Sequence, residues 1–111
     1  MNFKPELCAK ILDGTKTVTR RPIDGKTRIY KVGGEYAVCP GRGKHQVARM
    51  MVLDMRAESI GDITDGEAVL EGFADREAFV AYWRKLYCGE WDPGLPVWRI
   101  EFKLISRSPA S

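Results

Sequence analysis

The sequence is poor in histidine and in paired cysteines. Its one histidine, His45, leaves too little imidazole for a Ser-His-Asp triad or a multi-histidine metal centre. The three cysteines, Cys8, Cys39 and Cys88, are odd in number, far apart and never in a C-x-x-C spacing, so neither a disulfide framework nor a zinc knuckle is expected. No apolar run nears the roughly 20 residues of a membrane span. The opening MNFKPELCAK carries Lys4 and Glu6 with no apolar stretch behind them, which does not read as a secretory signal. The expectation is a cytoplasmic protein with no membrane partner, no metal and no cofactor, whose chemistry rests on Lys, Thr, Glu and Arg.

What is present is a 111-residue chain, 44% hydrophobic and 30% charged, the balance of one globular domain with a single core. The net charge of +3 hides an asymmetry: residues 1–49 hold 11 Lys/Arg against 4 Asp/Glu, and residues 50–111 hold 7 against 11. A basic face drawn from the first half suits phosphate.

Pro5 fits a first helical position, and Leu7, Cys8, Ile11 and Leu12 recur at helical spacing up to Gly14. TKTVTRR is β-branched and alternating, which predicts a strand after a corner at Gly14 to Lys16. A basic loop is expected from Pro22 to Gly34, a strand around Glu35 to Cys39, a loop at Pro40 to Lys44, and a long strand in Gln46 to Arg56 in spite of its helical propensity. Thr64 and Glu67 form a capping-box pattern for a helix over Asp65 to Glu71 that stops at Gly72. Asp75 caps a second helix whose Phe79, Tyr82, Trp83, Leu86 and Tyr87 make an apolar stripe ending at Gly89. VWRIEFKLI alternates, with Trp98, Ile100, Phe102 and Leu104 on a core face and Arg99, Glu101 and Lys103 opposite. Strands and helices in non-alternating order predict an α+β domain over residues 1–106 with a frayed tail at 107–111.

CPGRGKH has a G-x-G and a lysine but neither the Walker spacing nor a following helix, so a triphosphate loop is not expected. Arg42 and Lys44 instead read as a basic loop beside a cleft. DGTKTVTRRP carries more. In a regular strand Lys16 and Thr19 point to opposite faces, so cooperation requires Lys16 to sit in the turn after Gly14. A buried lysine there loses proton affinity and, as a neutral amine, can activate a threonine hydroxyl.

CAKILDGTKTVTRRP resembles the opening signature of ASCH domains, relatives of the PUA and EVE folds: a short helix ending G-x-K, then a polar residue three positions after the lysine and an arginine two beyond it. Here these are Gly14, Lys16, Thr19 and Arg21. The resemblance implies a small, mostly antiparallel β-barrel with peripheral helices and a cleft beside the G-x-K corner. It also implies RNA or a modified nucleoside as partner. One branch of the family hydrolyses N4-acetylcytidine and related N4-acyl cytosines with a lysine, a threonine and a glutamate. Carried over, these are Lys16, Thr19 and Glu71 in GEAVLEGF, with Glu67 the second match for the carboxylate. The competing expectations are a non-catalytic RNA-binding module, with Lys16, Arg20, Arg21, Arg42 and Lys44 on phosphate and Tyr36, Trp91 or another exposed aromatic stacked on a base, and a metal-independent ribonuclease using the same basic cluster.

Overall fold

The computed structural model describes residues 1–26 and 29–107. Helix α1 (Pro5–Leu12) opens on Pro5 and buries Leu7, Cys8 and Ile11. Gly14 follows with φ of 85°, and the amide of Lys16 returns to the Lys10 carbonyl at 3.0 Å. The chain therefore turns sharply before strand β1 (Val18–Pro22), leaving Lys16 and Thr17 ahead of the strand. After the basic loop, β2 (Glu35–Val38) and β3 (Ala48–Ser59) form an antiparallel pair. A short 3-10 turn at Ile60–Asp62 leads to α2 (Asp65–Glu71) and α3 (Arg76–Leu86), and β4 (Pro96–Arg107) returns along β3. Arg107, assigned from sequence to the tail, is the last residue of β4; residues 108–111 lie outside the described residues.

The four strands form one antiparallel sheet in the order β1-β4-β3-β2. It is open, which corrects the expected barrel. Both edge strands are short, and among the described residues they do not pair with each other. The seam is bridged by the N-terminal segment instead: Asn2 makes a parallel bridge with Cys39, and Arg21 of β1 donates to the Asn2 carbonyl at 2.8 Å. Phe3, Leu7, Ile11, Val38, Met50 and Phe102 fill the space beneath.

A second correction concerns β4. Ile100 and Phe102 are buried as expected, but Val97 and Arg99, of the opposite parity, are buried too, while Trp98 is only half-buried. The helices account for this. Val97 packs with Ile60, Ile63, Ala68, Phe79 and Trp83, so α2 and α3 cover the face that simple alternation gave to solvent.

Candidate active site

Lys16, Thr19 and Glu71 reach one place by three routes. The Gly14 corner turns Lys16 inward before β1 begins, and Thr19 follows as the second residue of that strand. Glu71 closes α2, where Gly72 ends the helix in the left-handed conformation with φ of 102°. All three are buried.

The Lys16 ammonium donates all its protons: to the Val18 carbonyl at 2.8 Å, and to the Glu71 carbonyl and Glu71 Oε1 at 2.9 Å each. It is 2% exposed, and burial lowers its pKa from the ordinary lysine value, opposed by the charge of Glu71 and the hydrogen bond that Lys16 donates to it. Lys10 adds a second cation at the C-terminus of α2, on the Gly72 carbonyl, the favourable sign for the helix dipole.

Behind this pair stands a row of alternating charges. Arg20 uses Nη1 on Glu71 Oε2 at 3.1 Å, Nε on Glu58 Oε1 at 2.8 Å and Nη2 on Glu67 Oε1 at 2.8 Å. Glu67 is held from the other side by Arg99 Nε and Nη2, and its carboxyl is lowered to about 2, the hydrogen bond from Arg99 being the largest cause. Half of the expected capping box forms, with Glu67 N on Thr64 Oγ1 at 3.1 Å. The Glu67 side chain goes to the two arginines because a buried guanidinium needs a carboxylate more than a helix N-terminus does.

Lys16, Arg20 and Glu71 line a cavity of about 480 Å³. Lys16, Thr19, Arg20, Arg21 and Glu71 supply much of its polar part, with Asn2, Lys4 and Arg42, and Phe73, Phe79, Tyr82, Trp83 and Tyr87 much of the rest. Phe3 also lines it, its ring centroid 4.9 Å from Arg21 Cζ and 5.8 Å from Lys16 Nζ. Arg21 Nε is buried with no acceptor among the described residues.

The remaining sequence candidates divide. Arg42 lines the cavity, while Lys44 is exposed and does not. Tyr36 lies elsewhere: its ring packs edge-on against Tyr30 at 4.7 Å, and its hydroxyl accepts from Lys31 N at 2.9 Å. Trp91 sits against Arg76 and packs on the cluster of Val97 with Ile60, Ile63 and Phe79. Arg20 is brought into the site, but its charge is directed at three carboxylates.

Sequence reasoning missed Phe3, Phe73 and the role of α3. The sequence marks its residues only as an apolar stripe, yet Leu86 and Tyr87 are 45% and 40% exposed and line the cavity. A stripe running five residues up to the helix end, beside a predicted cleft, was the available signal. Among the described residues no group of three or more His, Cys, Asp or Glu is placed to hold a metal, and no helix is long and apolar enough to cross a membrane.

Comparison with curated proteins finds no match. Among solved structures, the hypothetical protein PH0355 is 26% identical, with 95% of this chain and 96% of that one covered and a TM-score of 0.70. An ASCH domain from Lactobacillus crispatus is 14% identical over 92% of this chain and 72% of its own, with a TM-score of 0.71. A mutant ASCH protein from Zymomonas mobilis is 13% identical over 93% and 66%, with a TM-score of 0.65. These likenesses show that the α+β fold is shared. The profile of the ASCH domain matches residues 1–106, and the chain belongs to that family.

Proposed function

We propose that the cavity binds a nucleobase or nucleoside and that the protein hydrolyses the amide of N4-acyl cytidines. The observation that carries this reading is the meeting of a desolvated lysine, a buried threonine and a carboxylate on one aromatic-lined cavity. Its volume of about 480 Å³ lies in the range of roughly 300–1,000 Å³ usual for small-molecule sites. The aromatic rings offer surfaces on which a base can stack.

In neutral Lys16 two N–H donors remain and the lone pair replaces the third; turned from that acceptor toward Thr19, it takes the proton of the hydroxyl. Thr19 Oγ then attacks the acyl carbon, and Arg21 Nε, without an acceptor of its own, donates to the developing oxyanion. The bond from acyl carbon to exocyclic nitrogen breaks, and the amine leaves with the proton from Lys16. Water, deprotonated by the Lys16 amine, attacks the acyl-threonine; the bond from acyl carbon to Thr19 Oγ breaks, Lys16 returns the proton to Oγ, and the carboxylic acid leaves. Glu71 holds Lys16 throughout, favouring the ammonium it passes through.

A second reading, binding of RNA, is favoured by Lys4 and Arg42 in the cavity lining together with the free Nε of Arg21. Incubation with N4-acetylcytidine separates the two. Release of cytidine and acetate by the wild type, lost in Lys16→Ala, supports hydrolysis; salt-sensitive RNA binding with no turnover supports the second reading.

A further inference from the structure

Arg20 is absent from the G-x-K signature, and the RNA-binding reading of the sequence gives it to phosphate. The structure puts it elsewhere: it is 4% exposed, and each of its three nitrogens donates to a different carboxylate. The two oxygens of Glu71 are divided, Oε1 on Lys16 at 2.9 Å and Oε2 on Arg20 at 3.1 Å. A carboxylate pinned at both oxygens cannot swing about its terminal bond. The guanidinium is likewise pinned, since Glu58 and Glu67 hold its other two nitrogens and Arg99 and the Thr64 hydroxyl secure Glu67.

We propose that Arg20 is a positioning residue, which acts through Glu71 to keep Lys16 in place beside Thr19. This rests on the assignment of Lys16, Thr19 and Glu71 to one reaction. Arg20 also brings a positive charge near Lys16, which disfavours the ammonium. The groups facing Lys16 are Glu71 from α2, Arg20 and Arg21 from β1, Lys10 from α1 on the neighbouring Gly72 carbonyl, and Tyr82 from α3, whose phenol burial pushes up. Among them Arg20 is the cation that also touches the partner carboxylate of Lys16.

The test compares Arg20→Met, which removes the charge, with Arg20→Lys, which keeps the charge and loses the fork. Turnover of N4-acetylcytidine is measured against pH, and the Lys16 Nζ resonance is followed by 15N NMR without substrate. Arg20→Met is expected to lower kcat roughly tenfold or more with KM within about twofold, and to move both the acid limb of the rate and the Lys16 titration to higher pH. Arg20→Lys is expected to leave that titration near its wild-type midpoint, to displace the Lys16 15N shift and still to lower kcat. Where Arg20→Met fails to fold, Arg20→Lys decides. Wild-type kcat in Arg20→Lys, an unmoved Lys16 resonance, or an activity loss that only tracks the unfolded fraction overturns the proposal. A wild type without turnover overturns the amidase reading alone, and the 15N measurement still decides whether Arg20 positions Lys16.

Discussion

Lys16 Nζ donates to both the side chain and the backbone carbonyl of Glu71, at 2.9 Å in each case, so one helix terminus holds the lysine twice. The carbonyl is among the last of α2, which the helix itself leaves without a partner. Lysine is thus the cap of the helix and the neighbour of its carboxylate at once, and its position depends on where α2 stops.

Lys16→Met tests the base role with the side-chain volume largely kept. Loss of a general base lowers a rate by about 10²–10⁴-fold. The variant leaves Glu71 bound to Arg20, so the carboxylate keeps a partner and the fold persists. Circular dichroism close to wild type with acyl-cytidine turnover down by that factor is expected; turnover within twofold of wild type contradicts the role.

The places of Lys16 and Glu71 in the fold were legible in the sequence. Gly14 and Gly72 are both positive-φ helix ends, and each fixes the direction in which a site residue leaves its helix. That local chemistry placed Lys16 at a corner and Glu71 at a terminus. The open sheet was not legible, because whether β1 meets β2 depends on a side chain of one strand, Arg21, reaching the backbone of residue 2. Nor was the place of Arg99, since strand alternation says which residues share a face but not that α2 will carry a carboxylate onto it.

Glu67 carries a pH prediction. Its folded pKa, about 2, lies below the ordinary 4.5, so the unfolded chain binds the proton more readily between those values. Its contribution to stability is therefore complete above about pH 4.5 and is lost as pH falls toward 2. Glu67→Gln removes the carboxylate charge facing Arg20 and Arg99, and because Glu67 itself is only half-buried the loss falls short of the about 3–5 kcal/mol that breaking a fully buried pair costs. Urea unfolding at a series of pH values should show a gap between wild type and variant that is largest near neutrality and narrows below pH 4.5. A gap independent of pH contradicts the ion-pair origin.

Gly72→Ala separates backbone strain from crowding. The position has φ of 102°, where a Cβ costs about 1–2 kcal/mol. An added Cβ would also stand 3.1 Å from Lys10 Cδ and 3.6 Å from Lys16 Cβ. Gly14→Ala has a similar backbone penalty, with φ of 85°, but nothing within 4 Å of its Cβ. Both variants are expected to lose stability in denaturant titration, Gly72→Ala by more. Only Gly72→Ala should also shift the Lys16 15N resonance, because its methyl meets the lysine stem.

Arg42 distinguishes a nucleoside site from an RNA site. It lines the cavity from the loop after β2, whereas Lys44, two residues on, is exposed and outside the lining. If phosphate is bound there, each neutralised phosphate adds about 0.7–0.9 to the slope of log affinity against log salt, depending on strandedness. Arg42→Ala should then reduce the slope for an RNA oligonucleotide by about one contact while Lys44→Ala changes it less. Turnover of an uncharged acyl-cytidine should be nearly insensitive to salt in all three proteins, since its chemistry rests on Lys16, Thr19 and Glu71. An equal loss of slope in both variants would instead assign the effect to the general basic field of residues 1–49, not to a contact in the cavity.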